Sequence, residues 1–228
     1  MKTTEMKYTL RALAALLSYP DAELRAHVPD LRAALVDEGA LSAARVAELD
    51  ALLRQLERAR PLEAEAEYVE LFDRGRATSL HLFEHVHGDS RDRGPAMVDL
   101  GQTYSQAGLD LAPDELPDYL PAVLEFASTQ PALSARDFLG ETAHILNAIF
   151  NALEGRGSRY AAVLNAAVEL AGEKVRAVKL PPEPEIDEAW TEPEPFGGCS
   201  SAGQSRPEQP QTVQFVRKAD VHTIGAAQ

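Results

Sequence analysis

Ser42-Ala43-Ala44-Arg45-Val46-Ala47-Glu48-Leu49-Asp50-Ala51-Leu52-Leu53-Arg54-Gln55-Leu56 carries the pattern that decides the fold class. Val46, Leu49, Leu52, Leu53 and Leu56 recur three and four residues apart, the spacing of one helical face. Ser42 stands where an N-cap belongs. The same period extends in both directions. Toward the N-terminus, Leu10, Leu13, Leu16 and Leu17 mark a helix from about Glu5 to Ser18, ended by Pro20. Leu24, Val28, Leu31 and Leu35 mark a second from Asp21, which Pro29 must break or kink before Gly39 stops it.

Toward the C-terminus, Pro61 suits the first turn of a helix reaching about Asp73. A short apolar segment, Leu80 to Val86, leads to a turn at Gly88-Asp89. A further helix over Asp92 to Ala107 aligns Met97, Leu100 and Tyr104. Asp118 is placed to cap a helix carrying Leu120, Val123, Leu124 and Ala127, with Pro121 in its first turn. Ser134 opens a longer helix ending near Gly155, and Ser158 another ending near Val178. Alternating strand patterns and Asn-Gly or Asp-Gly hairpin signals are lacking. The expected fold is therefore all-α, a single bundle-like domain of about eight helices over residues 1–179.

From Pro181-Pro182-Glu183-Pro184-Glu185 onward, Pro, Glu, Gly, Ser and Gln dominate. Such a composition cannot bury enough apolar surface to offset the entropy of ordering, so residues 180–228 read as a disordered, acidic, Pro-rich tail. Trp190 with Phe196, and Val213 to Val216, are apolar islands in it, either docking motifs or residual hydrophobes.

The 228 residues hold 22 Lys+Arg against 36 Asp+Glu, a net charge of −14. Nucleic-acid binding needs a basic face and is disfavoured; a basic peptide is a better match for an acidic chain. Cys199 is the only cysteine, which excludes an internal disulfide and a thiolate metal cluster. Arg11 interrupts the one apolar run resembling a signal peptide, and no window approaches the ~18 apolar residues of a membrane span. The expected location is cytoplasmic, without direct membrane insertion.

His81-Leu82-Phe83-Glu84-His85 fits the H-x-x-E-H pattern of inverted zinc peptidases. On a helix, His81 and His85 would share a face and could bind zinc, with Glu84 as base; this zinc-dependent hydrolase is the alternative function. A catalytic zinc also needs a third protein ligand, and none is identifiable, so these side chains read better as a tight corner than as a metal site. No catalytic residue and no cofactor are assigned. Nucleophile elbow, Walker loop and dinucleotide fingerprint are missing.

Two further clusters stand out. Glu65, Tyr68 and Phe72 share one helical face, followed by Asp73, Arg74 and Arg76, with Arg91 and Arg93 beyond Asp89. Four arginines among matching acids suggest an ion-paired corner or an anion site, the former being favoured. Glu115-Leu116-Pro117-Asp118-Tyr119-Leu120-Pro121 gives a rigid acidic corner at a helix N-terminus.

Tyr68 to Leu80 and Leu82 to Gly94, with Glu115-Leu116-Pro117-Asp118, Leu120-Pro121 and Leu124-Glu125-Phe126, resemble the two signatures of NarJ-type nitrate reductase assembly chaperones. These delta-subunit proteins belong to the wider TorD-like family of redox-enzyme maturation chaperones. Leu17-Ser18-Tyr19-Pro20-Asp21 is similar to the family's first-helix ending, and the likeness spans about Leu10 to Val178. The resemblance implies a chaperone rather than an enzyme. Such a protein binds the apo catalytic (alpha) subunit of membrane-bound respiratory nitrate reductase, including its N-terminal peptide. It keeps that subunit competent for molybdenum cofactor insertion and membrane docking, and is not part of the final enzyme. Helix-in-groove recognition would suit this role. Tyr68 and Phe72 are then nominated as groove aromatics, Leu124 as groove lining, and Glu115 and Asp118 as rim or capping acids. Asp73, Arg74, Arg91 and Arg93 hold the corner. The family's second motif usually reads E-x-P-D-H; Tyr119 replaces that histidine, so a titrating imidazole is not carried over to this position. A permanent subunit of a larger complex is a third reading.

Overall fold

The computed structural model describes residues 5–88, 90–112 and 115–178. Ten α-helices and one 3-10 turn account for most of them: α1 (Lys7–Leu16), α2 (Ala22–Ala26), α3 (Val28–Asp37), α4 (Ala43–Arg58), α5 (Pro61–Phe72), the 3-10 turn Arg76–Thr78, α6 (Leu82–Val86), α7 (Arg93–Gln106), α8 (Leu120–Thr129), α9 (Ala132–Gly155) and α10 (Ala161–Leu170). Among the described residues the only strand-like pairing is a single antiparallel bridge between His81 and Tyr119. The all-α expectation holds. The two helices beyond eight are short: Pro29, in the first turn of α3, separates α2 from α3, and the apolar segment at Leu80 to Val86 contains α6.

α10 is apolar around almost its whole circumference, with Ala161, Ala162, Val163, Leu164, Ala166, Ala167, Val168 and Leu170 all buried. A helix of that kind belongs in the interior. It packs against α9, α4 and α1, while α1 lies along α8 and α3. The leucine stripes of α1 and α4 face this centre: Leu10, Leu13, Leu16, Leu49 and Leu52 are fully enclosed. Each such leucine contributes about 1.5–3 kcal/mol relative to solvent exposure.

Carboxylates close the helix starts, one locally and two from distant elements. Glu38 accepts from the backbone N–H groups of Tyr8 (3.0 Å) and Thr9 (2.7 Å) at the start of α1. Asp21 caps α2 through the N–H of Leu24 at 2.8 Å. Ser42 occupies the N-cap position of α4, yet its hydroxyl makes no cap bond there. The Ser42 N–H and hydroxyl both donate to Glu169 of α10 (2.6 and 3.1 Å), and a tertiary contact replaces the local one.

α10 is shorter than its sequence pattern suggested. It ends at Leu170 because Gly172 takes φ 80°, a left-handed conformation that reverses the chain. The following segment lies along α9, held by two amides one turn apart. Asn147 and Asn151 both donate to the carbonyl of Arg176 (3.0 and 2.9 Å). Their side-chain oxygens accept from the N–H of Arg176 (2.8 Å) and of Val178 (3.1 Å). Trp190, Phe196, Cys199 and the tail expected at 180–228 lie outside the described residues.

Candidate functional site

The two dense sequence stretches meet. Leu80-His81-Leu82 and Asp118-Tyr119-Leu120 run antiparallel: the N–H of Leu82 donates to the carbonyl of Asp118 at 3.0 Å, and that of Leu120 to the carbonyl of Leu80 at 2.8 Å. Both residues open helices, so both N–H groups lack an intrahelical partner. Pro121, in the first turn of α8, has no N–H to satisfy. The bridge therefore ties the starts of α6 and α8 together with the donors that helix geometry leaves over.

Asp118 does not cap α8 and forms no exposed rim, contrary to expectation. Its carboxylate is fully buried and turns to α6, where Oδ2 accepts from the N–H of Phe83 at 3.1 Å. His81 is the N-cap residue of α6 but makes no side-chain cap; Asp118 supplies that cap from 37 positions away. Its Oδ1 lies 3.3 Å from Nδ1 of His81, and Oδ2 lies 3.8 Å from the guanidinium of Arg93. Arg93 also reaches Glu84 at 3.4 Å. The hydrogen bond with Asp118 raises the pKa of His81 against the opposing effect of burial, because a carboxylate favours the protonated imidazole.

The H-x-x-E-H pattern does not form a metal site. His81 precedes α6 in extended backbone (φ −88°, ψ 105°), so the two imidazoles do not share a helical face. Nε2 of His85 lies 2.9 Å from the carbonyl of Ser79, and Glu84 is paired with Arg93. Among the described residues no group of three or more His, Cys, Asp or Glu side chains is disposed to hold a metal.

Tyr68, Phe72 and Leu124 lie beneath the surface and do not line a groove; they are 5%, 7% and 0% exposed. Tyr68 donates to the carbonyl of Leu17 at 2.7 Å and packs against Phe72 (4.8 Å between ring centres), Tyr160 (6.2 Å) and Tyr19 (5.7 Å). Its hydroxyl is 3.4 Å from that of Tyr119. Two aromatics of this cluster reach the surface: Tyr19 is exposed, and Tyr119 is half-buried and tilted against the His81 ring at 5.3 Å. Burial raises the pKa of Tyr119, so the phenol stays neutral.

Tyr119, His81, Ala112, Glu115 and Leu116 line an open groove of about 630 Å³. Leu116 is 45% exposed. Glu115, the nominated rim acid, does lie at this groove. Tyr104, buried behind this stretch, anchors it by donating to the carbonyl of Pro117 at 2.9 Å while stacking on Phe126 at 4.4 Å. Of the four nominated corner residues, Arg93 holds the junction. Arg74 pairs with Glu70 at 3.0 Å along the exposed side of α5 instead, because the two are one helical turn apart. Asp73 is the exposed C-cap residue of α5, and Arg91 is exposed.

The model of the nitrate reductase delta subunit family matches residues 20–166, a span that contains both joined motifs. The chain belongs to that family. It is 45% identical over 168 residues to the nitrate reductase molybdenum cofactor assembly chaperone NarJ of Escherichia coli K12, covering 74% of this chain and 71% of that one. It is 35% identical over 178 residues to the probable nitrate reductase molybdenum cofactor assembly chaperone NarJ of Bacillus subtilis 168, covering 75% and 94%. A crystal structure of a candidate redox enzyme maturation protein from Archaeoglobus fulgidus superposes with a TM-score of 0.52 at 21% identity, covering 74% of this chain and 94% of that one, a likeness of fold. These delta-family relatives are named as assembly chaperones and not as hydrolases. No described helix is long and apolar enough to cross a membrane.

Proposed function

We propose that this delta-family protein is a cytoplasmic assembly chaperone for a membrane-bound respiratory nitrate reductase. It holds the apo catalytic subunit competent for molybdenum cofactor insertion, in part by binding that subunit's N-terminal peptide. The observation carrying this reading is the bridge at His81 and Tyr119, which brings both family motifs to one open groove. Tyr119 and Leu116 offer apolar contact for an anchoring side chain, and Glu115 offers a carboxylate for a basic one. The buried Asp118 junction keeps the groove wall rigid, which lowers the entropy cost of binding.

Isothermal titration of the full chain with the N-terminal peptide of the catalytic subunit tests the reading. Saturable binding is expected, weakened at least about tenfold by Leu116→Asp or Tyr119→Ala, the loss typical of a central contact. Absence of heat at high micromolar peptide overturns peptide recognition. Binding unaltered by either substitution overturns its placement in this groove.

A further inference from the structure

A second surface shares no residue with the groove at Tyr119. Near the C-terminal end of α4, Arg54 and Arg58 lie one helical turn apart and face Arg159, from the turn between α9 and α10, across an open groove of about 440 Å³. Ala51 and Ala59 line it with small side chains, leaving the guanidinium groups room to be approached. In a chain of net charge −14, three arginines around one groove invert the local sign.

Several arginines of this protein are matched with carboxylates: Arg32 with Asp50 and Glu57, Arg45 with Glu48 and Glu169, Arg60 with Glu63, Arg74 with Glu70, and Arg93 with Glu84. Arg58 and Arg159 are not among these, and they stand together at one groove. Neither has an ion pair among the described residues. The acids that could serve them are already engaged. Glu57, next to Arg58, pairs with Arg32 at 2.8 Å, and Glu67 accepts from Gln55 at 2.7 Å. Arg159 is steadied by a neutral group, donating to Oε1 of Gln55 at 2.7 Å, which fixes its position and leaves its charge intact. Arg54 is partly neutralised by Asp50 at 3.0 Å.

We infer that this groove is a docking surface for an acidic segment of a partner protein. Charge complementarity selects carboxylates. The open form, with guanidinium groups spread along a helix and across to a loop, matches side chains spaced along a peptide better than one compact anion, which needs convergent donors. Arg54 and Arg58 would contact carboxylates one turn or two extended residues apart, and Arg159 would close on the opposite side.

Fluorescein-labelled hexaglutamate, titrated into the full chain at low salt and followed by anisotropy, tests the inference. Saturable binding is expected, weakened about fivefold by Arg58→Ala or Arg159→Ala and about twofold by Arg54→Ala, as for exposed ion pairs. It should fade as ionic strength approaches about 0.15 M, where the Debye length falls to ~8 Å. Arg74→Ala, outside the groove, should leave the titration unchanged. Both key arginines are exposed, so circular dichroism should report an unaltered fold. No binding, or binding that survives Arg58→Glu with Arg159→Glu, overturns the inference. Inorganic pyrophosphate competing at lower concentration than the peptide also overturns it, in favour of a small-anion site.

Discussion

Replacing Asp118 by alanine should destabilise the protein far more than a surface substitution. The carboxylate is fully enclosed and serves Phe83 N–H at 3.1 Å, His81 at 3.3 Å and Arg93 at 3.8 Å. Losing the acceptor leaves the part-buried Phe83 N–H without its partner, at about 1–2 kcal/mol, the lower part of the range for a buried donor. Losing the countercharge costs less than the 3–5 kcal/mol of a fully buried pair, because His81 and Arg93 are 33% and 27% exposed and solvent screens them. Together the expected loss is about 2–4 kcal/mol, and with a urea dependence of roughly 2 kcal/mol per molar the unfolding midpoint should fall by about 1–2 M. Asp118→Asn keeps an oxygen for Phe83 and loses only the charge, so its midpoint should fall by about half as much. Urea titration followed by far-UV circular dichroism measures both. A loss below about 1 kcal/mol for the alanine variant, or identical losses for the two, would refute the assignment of Asp118 as the charged cap of α6.

Asp118 raises the pKa of His81 above its ordinary 6.5, so the protonated form is preferred by the folded state. The resulting stabilisation is fully present below about pH 6.5 and is lost as pH rises through the raised folded value. Glu84 acts in the same direction and Arg93 against it. Stability measured from pH 6 to about 8 should therefore decline, and His81→Gln should flatten that decline; parallel profiles would rule the pair out. Tyr160 is buried with a hydroxyl that has no partner among the described residues. Tyr160→Phe should thus preserve the packing on Phe72 at 5.2 Å and raise stability by up to about 1–2 kcal/mol; destabilisation in thermal melts would show that the hydroxyl is satisfied. Leu124→Ala should cost about 2–5 kcal/mol as a core deletion. It should leave peptide affinity of the folded protein intact, whereas a selective affinity loss in calorimetry would return Leu124 to the groove.

The helices were legible because amphipathic stripes such as Leu49, Leu52, Leu53 and Leu56 state their own period, and Pro29 and Pro61 state their boundaries. The joined corner was legible only as two separate motifs. Nothing local indicates that Asp118 caps a helix 35 residues earlier, because an aspartate before Leu-Pro looks like the cap of the helix it precedes. The same limit misplaced Tyr68 and Phe72. Their i, i+4 spacing identified a common face of α5 correctly, but period alone cannot say whether that face meets solvent or Tyr160. Tyr104 was legible as part of a helical stripe and Leu116 as part of the second motif, but neither signalled its place beside the groove. One is anchored by the backbone carbonyl of Pro117, and the other is exposed where period alone gives no such indication. Ser42 shows the converse case, a valid cap signal displaced by Glu169, which is 127 positions away.

The amide pair on α9 has a different consequence. Asn147 and Asn151 read only main-chain atoms of Arg176 and Val178, in the way that a strand edge reads a neighbouring strand. The helix thereby offers a short stretch of sequence-blind template on its side. Almost any side chains at 176 and 178 are compatible with it. Proline is not, since it removes the N–H that each amide oxygen accepts. The course of residues 176–178 along α9 is thus set by two asparagines and not by the side chains that follow that course.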